Sequence, residues 1–546
     1  MPFRFHDTLT DSTLPLPERT PGETTLYVCG PTVYGYIHVG NARPPVVFDV
    51  LVRHLEASGR KVTYARNYTD VDDKIIDVAV KNGEDPRAVA ERFIAAYREE
   101  MAALRCRAPT VEPRVSETIP GIIAHVEALI AKGFAYVTEE GDVYYDVARF
   151  ADYGKLSKRR FDVQRAEYGR GRSGEGKRAE HDFALWKSAK PHEPAGARWP
   201  SPWGEGRPGW HIECSAMTHA HLGDGFDLHG GGNDLKFPHH ENEIAQSEPV
   251  WGAPMARGWM HNGFIEMDIE RNASFSQETL DALHADPDLR KISKSDRVKL
   301  EDLRAREATL TAHERALLPI YERKVRFADW FQLRQLRQRL DGEAIRFWIL
   351  ATHYRSPLAF DLAEDADGTV RFPTIEQVEK RLEYVYDTLG KLGAKLETAK
   401  SAGRVTPSLA REIAELRGAF DAALDDDLNT AGALDPMNRL FARANELCDA
   451  KKTPREDLDL VDQALAHVTR VLGVGEGHPE EFFVRVTVRR LAQRGIDPKD
   501  IDALVAARVA ARASKDFARA DAIRAELTAK GIELRDGISA TTWRAV

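Results

Sequence analysis

Leu26-Tyr-Val-Cys29-Gly-Pro-Thr-Val-Tyr-Gly-Tyr-Ile-His38-Val-Gly-Asn41-Ala-Arg-Pro-Pro-Val-Val-Phe-Asp-Val-Leu-Val-Arg-His-Leu-Glu-Ala-Ser58-Gly-Arg-Lys-Val62-Thr-Tyr-Ala-Arg-Asn67 is the stretch on which the fold turns. A short β-like run ends at Cys29 and enters a Gly-Pro loop. The spacing then predicts a helix over about 41–58, stopped by Gly59, and a second strand over 62–67. Strand, helix and strand within about 40 residues make a βαβ unit, which requires a parallel sheet. Outward from it, Asp85-Pro86 opens a second helix running to about Leu104, with Asp as N-cap and Pro in the first turn. Past Pro109 the texture changes to a helix over 119–132 and a hairpin of strands 134–137 and 142–147. After Leu358 the pattern is helical to Gly473. Gly473–Glu481 reads as a linker, followed by helices near 501–512 and 517–529 and a small terminal hairpin.

The chain has 546 residues, 42% hydrophobic and 30% charged, with four cysteines and a net charge of −9. This is a globular composition with room for three or four domains. The cysteines are too few for a disulfide scaffold, which favours a reducing cytoplasm. The first twenty residues carry no hydrophobic segment, so no secretory signal is expected, and no apolar run is long enough to span a bilayer. The net charge excludes a uniformly basic nucleic-acid binder but not local basic patches. Three stretches are positive: 149–178 with a net of +6, 323–340 with a net of +5, and the arginines at 485, 489, 490 and 494. Each reads either as a solvated surface or as a phosphate-contacting one.

Three segments carry chemistry. In His229-Gly-Gly-Gly-Asn-Asp234-Leu-Lys-Phe-Pro238-His239-His-Glu-Asn-Glu243, Pro238 suits a first helical turn, and His239 and Glu243 then share a face four residues apart. Imidazole and carboxylate at that spacing suit a first-row metal, and equally a solvated polar face. Cys214 is the nearest soft ligand in sequence, and Cys29 stands at the carboxyl end of the first strand, where open α/β sheets place ligands. Second, Ile37-His38-Val-Gly40-Asn41 opens the first helix, whose N–H groups and dipole form a phosphate seat; a capping or surface role for His38 is the plainer alternative. Third, Lys291-Ile-Ser293-Lys294-Ser295 offers two cations and two hydroxyls to a triphosphate, or is an ordinary basic loop.

Taken in order, these segments, with Thr69-Asp-Val-Asp-Asp-Lys74, Trp210-His-Ile-Glu-Cys214, Asp425-Asp-Asp-Leu-Asn-Thr430, Lys515-Asp-Phe-Ala-Arg-Ala-Asp521 and Thr541-Thr-Trp-Arg544, resemble cysteinyl-tRNA synthetases of the bacterial type, a class I aminoacyl-tRNA synthetase family. The resemblance spans nearly the whole chain. It implies an α/β, Rossmann-type parallel-sheet catalytic domain over 1–355 with a connective insertion at about 110–200, a helical bundle over 356–475, and a C-terminal anticodon-side domain over 485–546. Two segments, about 268–290 and 304–342, fall outside the family's usual pattern. They flank the Lys291 loop and are expected either to extend a tRNA-facing surface or to be plain surface elaboration.

The resemblance implies activation of L-cysteine by ATP to cysteinyl-adenylate and pyrophosphate, then transfer to the 3′-terminal adenosine of the cysteine tRNA. Cys29, Cys214, His239 and Glu243 would hold one zinc ion that binds the substrate thiolate. His38, Gly40 and Asn41 would match the "HIGH" motif, with Val39 for Ile and Asn41 for the second His. Lys291, Ser293, Lys294 and Ser295 would match "KMSKS", with Ile292 for Met. His38, Lys291 and Lys294 are the catalytic candidates, and Asp234 a candidate for ribose or substrate ammonium. Gly30, Thr69, Trp210 and His229 would line the amino-acid pocket, and magnesium would accompany ATP. The implied setting is a cytoplasmic monomer with no membrane partner. A cysteine–amino sugar ligase of mycothiol synthesis would share the catalytic motifs but lack the C-terminal region. A zinc hydrolase and a non-catalytic zinc-containing RNA-binding protein are the readings from other classes.

Overall fold

The computed structural model describes residues 2–159, 176–191, 193–270, 273, 275–290, 295–365, 367–536 and 541–546. The chain forms two compact units. The first comprises residues 1–334, 349–370 and 418–435; the second comprises 335–348, 371–417 and 436–546.

The expected βαβ unit organises the first unit. Strand β1 (Glu23–Val28) leads through helix α1 (Val39–Ala57) to strand β2 (Lys61–Arg66), which pairs with β1 in parallel, Leu26 opposite Tyr64. On the other edge of β1 lies β3 (Leu228–Gly232), also parallel, and beyond it β4 (Trp259–Asn262). The order is therefore β4-β3-β1-β2. The chain leaves β1 toward one edge of the sheet and later returns on the other, so a crevice opens at the carboxyl ends of β1 and β3. Both strands end in buried backbone, as two-face coverage demands. Gly230 permits that coverage: a Cβ there would lie 2.3 Å from the Phe48 ring of α1.

Between β2 and β3 comes the expected insertion. Its antiparallel sheet runs Ala135–Val137, Val143–Tyr145, Phe183–Ser188 and Gly206–Pro208. Helix α2 (Trp210–Leu222) and helix α3 (Glu241–Trp251) then flank β3 in sequence. Val126, Leu185, Met217, Ile244 and Trp259 belong to one buried cluster, so insertion and sheet share a core. Asp425 and Asp427 fold with this unit. Asp427 accepts hydrogen bonds from the His6 N–H at 2.8 Å and the Tyr354 hydroxyl at 2.7 Å, and Asp425 meets His54 Nε2 at 2.9 Å.

The second unit is helical, with Pro373–Thr398, Arg455–Leu472, Pro479–Arg494, Pro498–Ala513 and Phe517–Ala529, and ends in the hairpin Ile532–Asp536/Thr541–Ala545. Two expectations change here. Of the stretch 473–481, residues 473–475 are packed and a helix begins at Pro479: Gly473 ends the preceding helix at φ 63°, and the Gly475 N–H donates to the buried Glu343 carboxylate at 2.6 Å. The arginines at 485–490 serve the interior of this unit. Arg485 pairs with Asp341 at 2.6 Å, and Arg489 and Arg490 both reach Glu379, at 2.6 and 2.8 Å. Charge density in sequence cannot distinguish such pairing from an RNA surface, because the acidic partners come from distant helices. The stretch at 323–340 is likewise partly spent, on Lys324–Asp296 and Arg326–Glu364 ion pairs. Most of the stretch at 149–178 lies outside the described residues.

Glu379 is 4% exposed and accepts from both arginines and from the Asp341 N–H. Removing one side of a buried ion pair costs about 3–5 kcal/mol. Glu379→Ala is therefore expected to lower the unfolding free energy by about 3 kcal/mol, measured by urea denaturation. Glu481→Ala, at an exposed position on the arginine helix, should stay within about 0.5 kcal/mol.

Candidate metal centre and nucleotide-binding edge

Cys29 is the first residue beyond β1, and its N–H donates to the Gly230 carbonyl at 3.3 Å. The loop after it is tightly constrained. The Gly30 N–H donates to Asn67 Oδ1 at 2.8 Å, and a Cβ on Gly30 would fall 1.7 Å from the Asn67 carbonyl oxygen, so no side chain fits. Cys214 comes from α2, one turn after Trp210. His239 and Glu243 come from the helical segment that begins at Lys236 and continues as α3.

These four residues, scattered over more than 200 positions, converge. Their ligand atoms all lie within 4.8 Å of one another, in a buried setting. Cys29 Sγ is 3.8 Å from Cys214 Sγ and 3.5 Å from Glu243 Oε1, and His239 Nε2 is 3.0 Å from Glu243 Oε1. Tetrahedral zinc with Zn–S near 2.3 Å and Zn–O near 2.0–2.2 Å sets S···S at about 3.8 Å and S···O at about 3.6 Å. The two sulfur spacings fit an ion of that size, and the closer His239–Glu243 pair is at hydrogen-bond distance. A second set, Cys29, His229, His240 and Glu243, meets the same distance limit. It has only one thiol, and the Nδ1 of its His240 is engaged outside it, sharing a hydrogen bond of 2.7 Å with His261 Nε2. Two thiolates suit zinc better than one.

The electrostatics call for a cation. Burial works against charge on Glu243, yet His229 and His239 hold its pKa well below the carboxylate range. Burial also disfavours a charged His239, but Glu243 and Cys214 raise it to about 10. The hydrogen bond from Cys29 brings Cys214 down to about 6 against its burial, while burial pushes the Cys29 thiol well up. A carboxylate and a readily formed thiolate thus sit beside a proton-borne positive charge on His239, whose place a divalent ion would take.

Around the cage, His211 shares a 2.9 Å hydrogen bond with His239 through the two Nδ1 atoms, leaving His239 Nε2 aimed at the cage. Trp210 stacks on His239 at 4.4 Å and keeps 38% of its surface exposed, so it lies between the cage and solvent. Thr69 is buried, receives a 3.3 Å hydrogen bond from Asn67 Nδ2, and its backbone joins that of Thr32. His229, which the resemblance puts at the substrate pocket, is fully buried, stacks on Trp259 at 4.5 Å and meets Glu243 Oε2 through its Nε2 at 2.9 Å.

At the other edge of the crevice, His38 is the exposed N-cap of α1. Gly40 and Asn41 lie in the first turn, and Asn41 Oδ1 accepts the His38 N–H at 3.3 Å. The Asn in place of the family's second His therefore closes the helix start. Asp234 is exposed just beyond β3. Of the Lys291–Ser295 motif only Ser295 falls within the described residues, as the first residue of the helix Ser295–Ala305. Lys291, Ile292, Ser293 and Lys294 lie outside them.

Sequence reasoning passes over His211 and Asn67. His211 is legible in principle, since it precedes Cys214 by three residues on one helix face. Asn67 is not, because its partner is a backbone N–H 37 residues away.

Three family models match the chain: the class I (C) tRNA synthetase catalytic domain over residues 16–284, the DALR domain over 419–475, and the cysteinyl-tRNA ligase anticodon binding domain over 498–544. The cysteine–tRNA ligase of Anaeromyxobacter dehalogenans is 43% identical over 556 aligned positions, covering 100% of both chains, and that of Geobacter sulfurreducens is 40% identical, again covering 100% of both. Among solved structures, Mycobacterium tuberculosis methionyl-tRNA synthetase bound by methionyl-adenylate matches 83% of this chain and 92% of its own with a TM-score of 0.52 at 14% identity, a likeness of fold. With whole-length identity at this level, and with catalytic and anticodon binding domains both matched, the chain belongs to the cysteine–tRNA ligase family.

Proposed function

We propose that this chain activates L-cysteine with ATP and transfers it to the 3′-terminal adenosine of the cysteine tRNA, with Cys29, Cys214, His239 and Glu243 holding one zinc ion that selects the substrate. The convergence of those four donors at the carboxyl end of β1 carries the proposal. When bound, zinc supplies a borderline-soft cation that takes a thiolate sulfur in strong preference to a hydroxyl. Cysteine and serine are near-isosteres, which a pocket measuring size alone separates by only about 100-fold.

The chain's residues do the remaining work. Gly30 and Asn67 hold Cys29 in place, Thr69 and Trp210 line the amino-acid side, and His229 fixes Glu243 from below. The substrate carboxylate attacks the α-phosphorus and pyrophosphate leaves, so no general base is needed. His38, the α1 amides, Lys291 and Lys294 stabilise the charge that develops on the phosphates. Gly40 and Asn41 shape the nucleotide seat, Ser293 and Ser295 offer hydroxyls, Asp234 serves ribose or ammonium, and ATP brings magnesium. The match of 498–544 to an anticodon binding domain supports tRNA as acceptor over an amino sugar. Among the described residues no helix is long and apolar enough to cross a membrane. A monomer working in the cytoplasm completes the proposal.

Pyrophosphate exchange dependent on cysteine, with serine as control, followed by charging of the cysteine tRNA, tests it. Exchange with cysteine only, and charging, are expected. Exchange without charging would favour the sugar ligase, and no exchange would overturn the proposal. His211→Ala removes the partner that orients His239, and such partners are worth about 10–100-fold in metal affinity. Competition with a chelator should show a loss of that size, from a wild type carrying about one zinc per chain. Gly30→Ala should cost about 1–3 kcal/mol through overpacking and lower zinc content by moving Cys29. A melt and a metal analysis on the same sample check both effects.

A further inference from the structure

The segment after the Lys291–Ser295 motif is one of the two expected from the sequence to fall outside the family's usual pattern. It forms a helical hairpin, Ser295–Ala305 against Ala312–Phe327. Exposed pairs join the arms, such as Arg304–Glu322 at 3.0 Å, with side chains 59% and 44% exposed. At its base, Lys324 Nζ lies 3.0 Å from Asp296 Oδ2, with side chains only 2% and 4% exposed. The ammonium also faces the Tyr321 ring at 5.4 Å, on the same ring that Lys299 approaches at 5.5 Å. Residues 28 positions apart are thereby closed into one point, next in sequence to Ser295.

Eight residues beyond Lys324 the chain reaches the nucleotide edge. Gln332 bridges to His38, the Leu333 N–H donates to the Ile37 carbonyl at 3.0 Å, and the Arg334 guanidinium lies over the Tyr36 ring at 4.7 Å. On the other flank of the motif, Arg290 and His284 both pair with Glu270, in the second of the unusual segments. The hairpin base thus stands between the segment leading out of one nucleotide motif and the segment docked on the other. A surface elaboration would need no buried charge at its root, because an exposed pair contributes little and a buried one is costly unless geometry repays it.

We infer that Lys324 is a positioning residue for adenylate formation: through its buried pair with Asp296 it fixes the start of the Ser295–Ala305 helix relative to the Gln332–Leu333 segment, which docks on the start of α1 at His38. The role rests on the assignment of ATP to this crevice. Pyrophosphate exchange by the full-length zinc-loaded enzyme tests it, with the KM values for ATP and cysteine measured separately and melting temperature alongside. Lys324→Met is expected to lower the exchange kcat at least tenfold, with the KM for cysteine unchanged. Lys324→Arg should restore most of that loss. Asp296→Asn combined with Lys324→Met should cost no more than Lys324→Met alone. Arg304→Ala, which breaks an exposed pair of the same hairpin, should leave exchange within twofold. Unchanged exchange in Lys324→Met would overturn the inference. So would a joint loss of ATP and cysteine parameters together with melting temperature, unrescued by Arg, since that marks a merely structural lysine. Absence of cysteine-dependent exchange in the wild type would instead overturn the assignment on which the role rests.

Discussion

The buried carboxylate of Glu243 is the node on which the candidate site depends. It is fully excluded from solvent, so every one of its interactions must come from the protein. One oxygen faces Cys29 and His239, and the other receives the His229 N–H. His229 stands on β3, Cys29 at the end of β1 and His239 on the segment leading into α3. A single charge therefore ties two adjacent strands and the following helix to one point. The parallel pairing of β1 with β3 is what brings Cys29 and His229 within reach of the same carboxylate, since Tyr27 and His229 stand in register.

This dependence explains why the donors are dispersed. A compact zinc finger brings its own ligands by short spacing and folds around the metal. Here the sheet, its helices and the shared core of insertion and strands already hold the four donors close together. Ligand spacing in sequence is then free to vary, while the loop after β1 is not: Gly30 has no room for even one carbon. Selectivity for a soft ligand needs such rigidity, because an ion held loosely would bind water or hydroxyl as readily as sulfur.

How much is legible in the sequence depends on range. The βαβ unit, the helix opened by Asp85-Pro86, the insertion hairpin and the terminal hairpin are local patterns, and they appear within a few residues of where periodicity and turn chemistry put them. The four donors are legible through ordered motifs, not through spacing alone. The contact of His229 with Glu243 is not legible, because a histidine beside a glycine run looks the same whether it faces a pocket or supports a neighbouring carboxylate. The arginines at 485–490 mislead for a related reason. Their partners, Asp341, Glu343 and Glu379, lie more than 100 residues earlier, and charge counts along the chain are blind to them.

The same blindness hides the hairpin base. Counted along the sequence, 323–340 is a strongly basic run that suits RNA, yet Lys324 is nearly as buried as any core residue and faces a single carboxylate 28 positions back. A basic residue in such a run can serve a partner only if its charge is left free, and the buried ones are not. The run offers geometry instead. A hairpin that carries the chain from one segment of a unit to another keeps its two ends at a fixed separation when a buried pair closes its base. A buried ion pair does this with directional specificity that apolar packing of the same volume lacks, at the cost of desolvating both groups. That cost is reasonable where the chain leaving the hairpin docks directly on the start of α1, since a misplacement of about an ångström near a reacting centre is enough to slow a reaction about 100-fold.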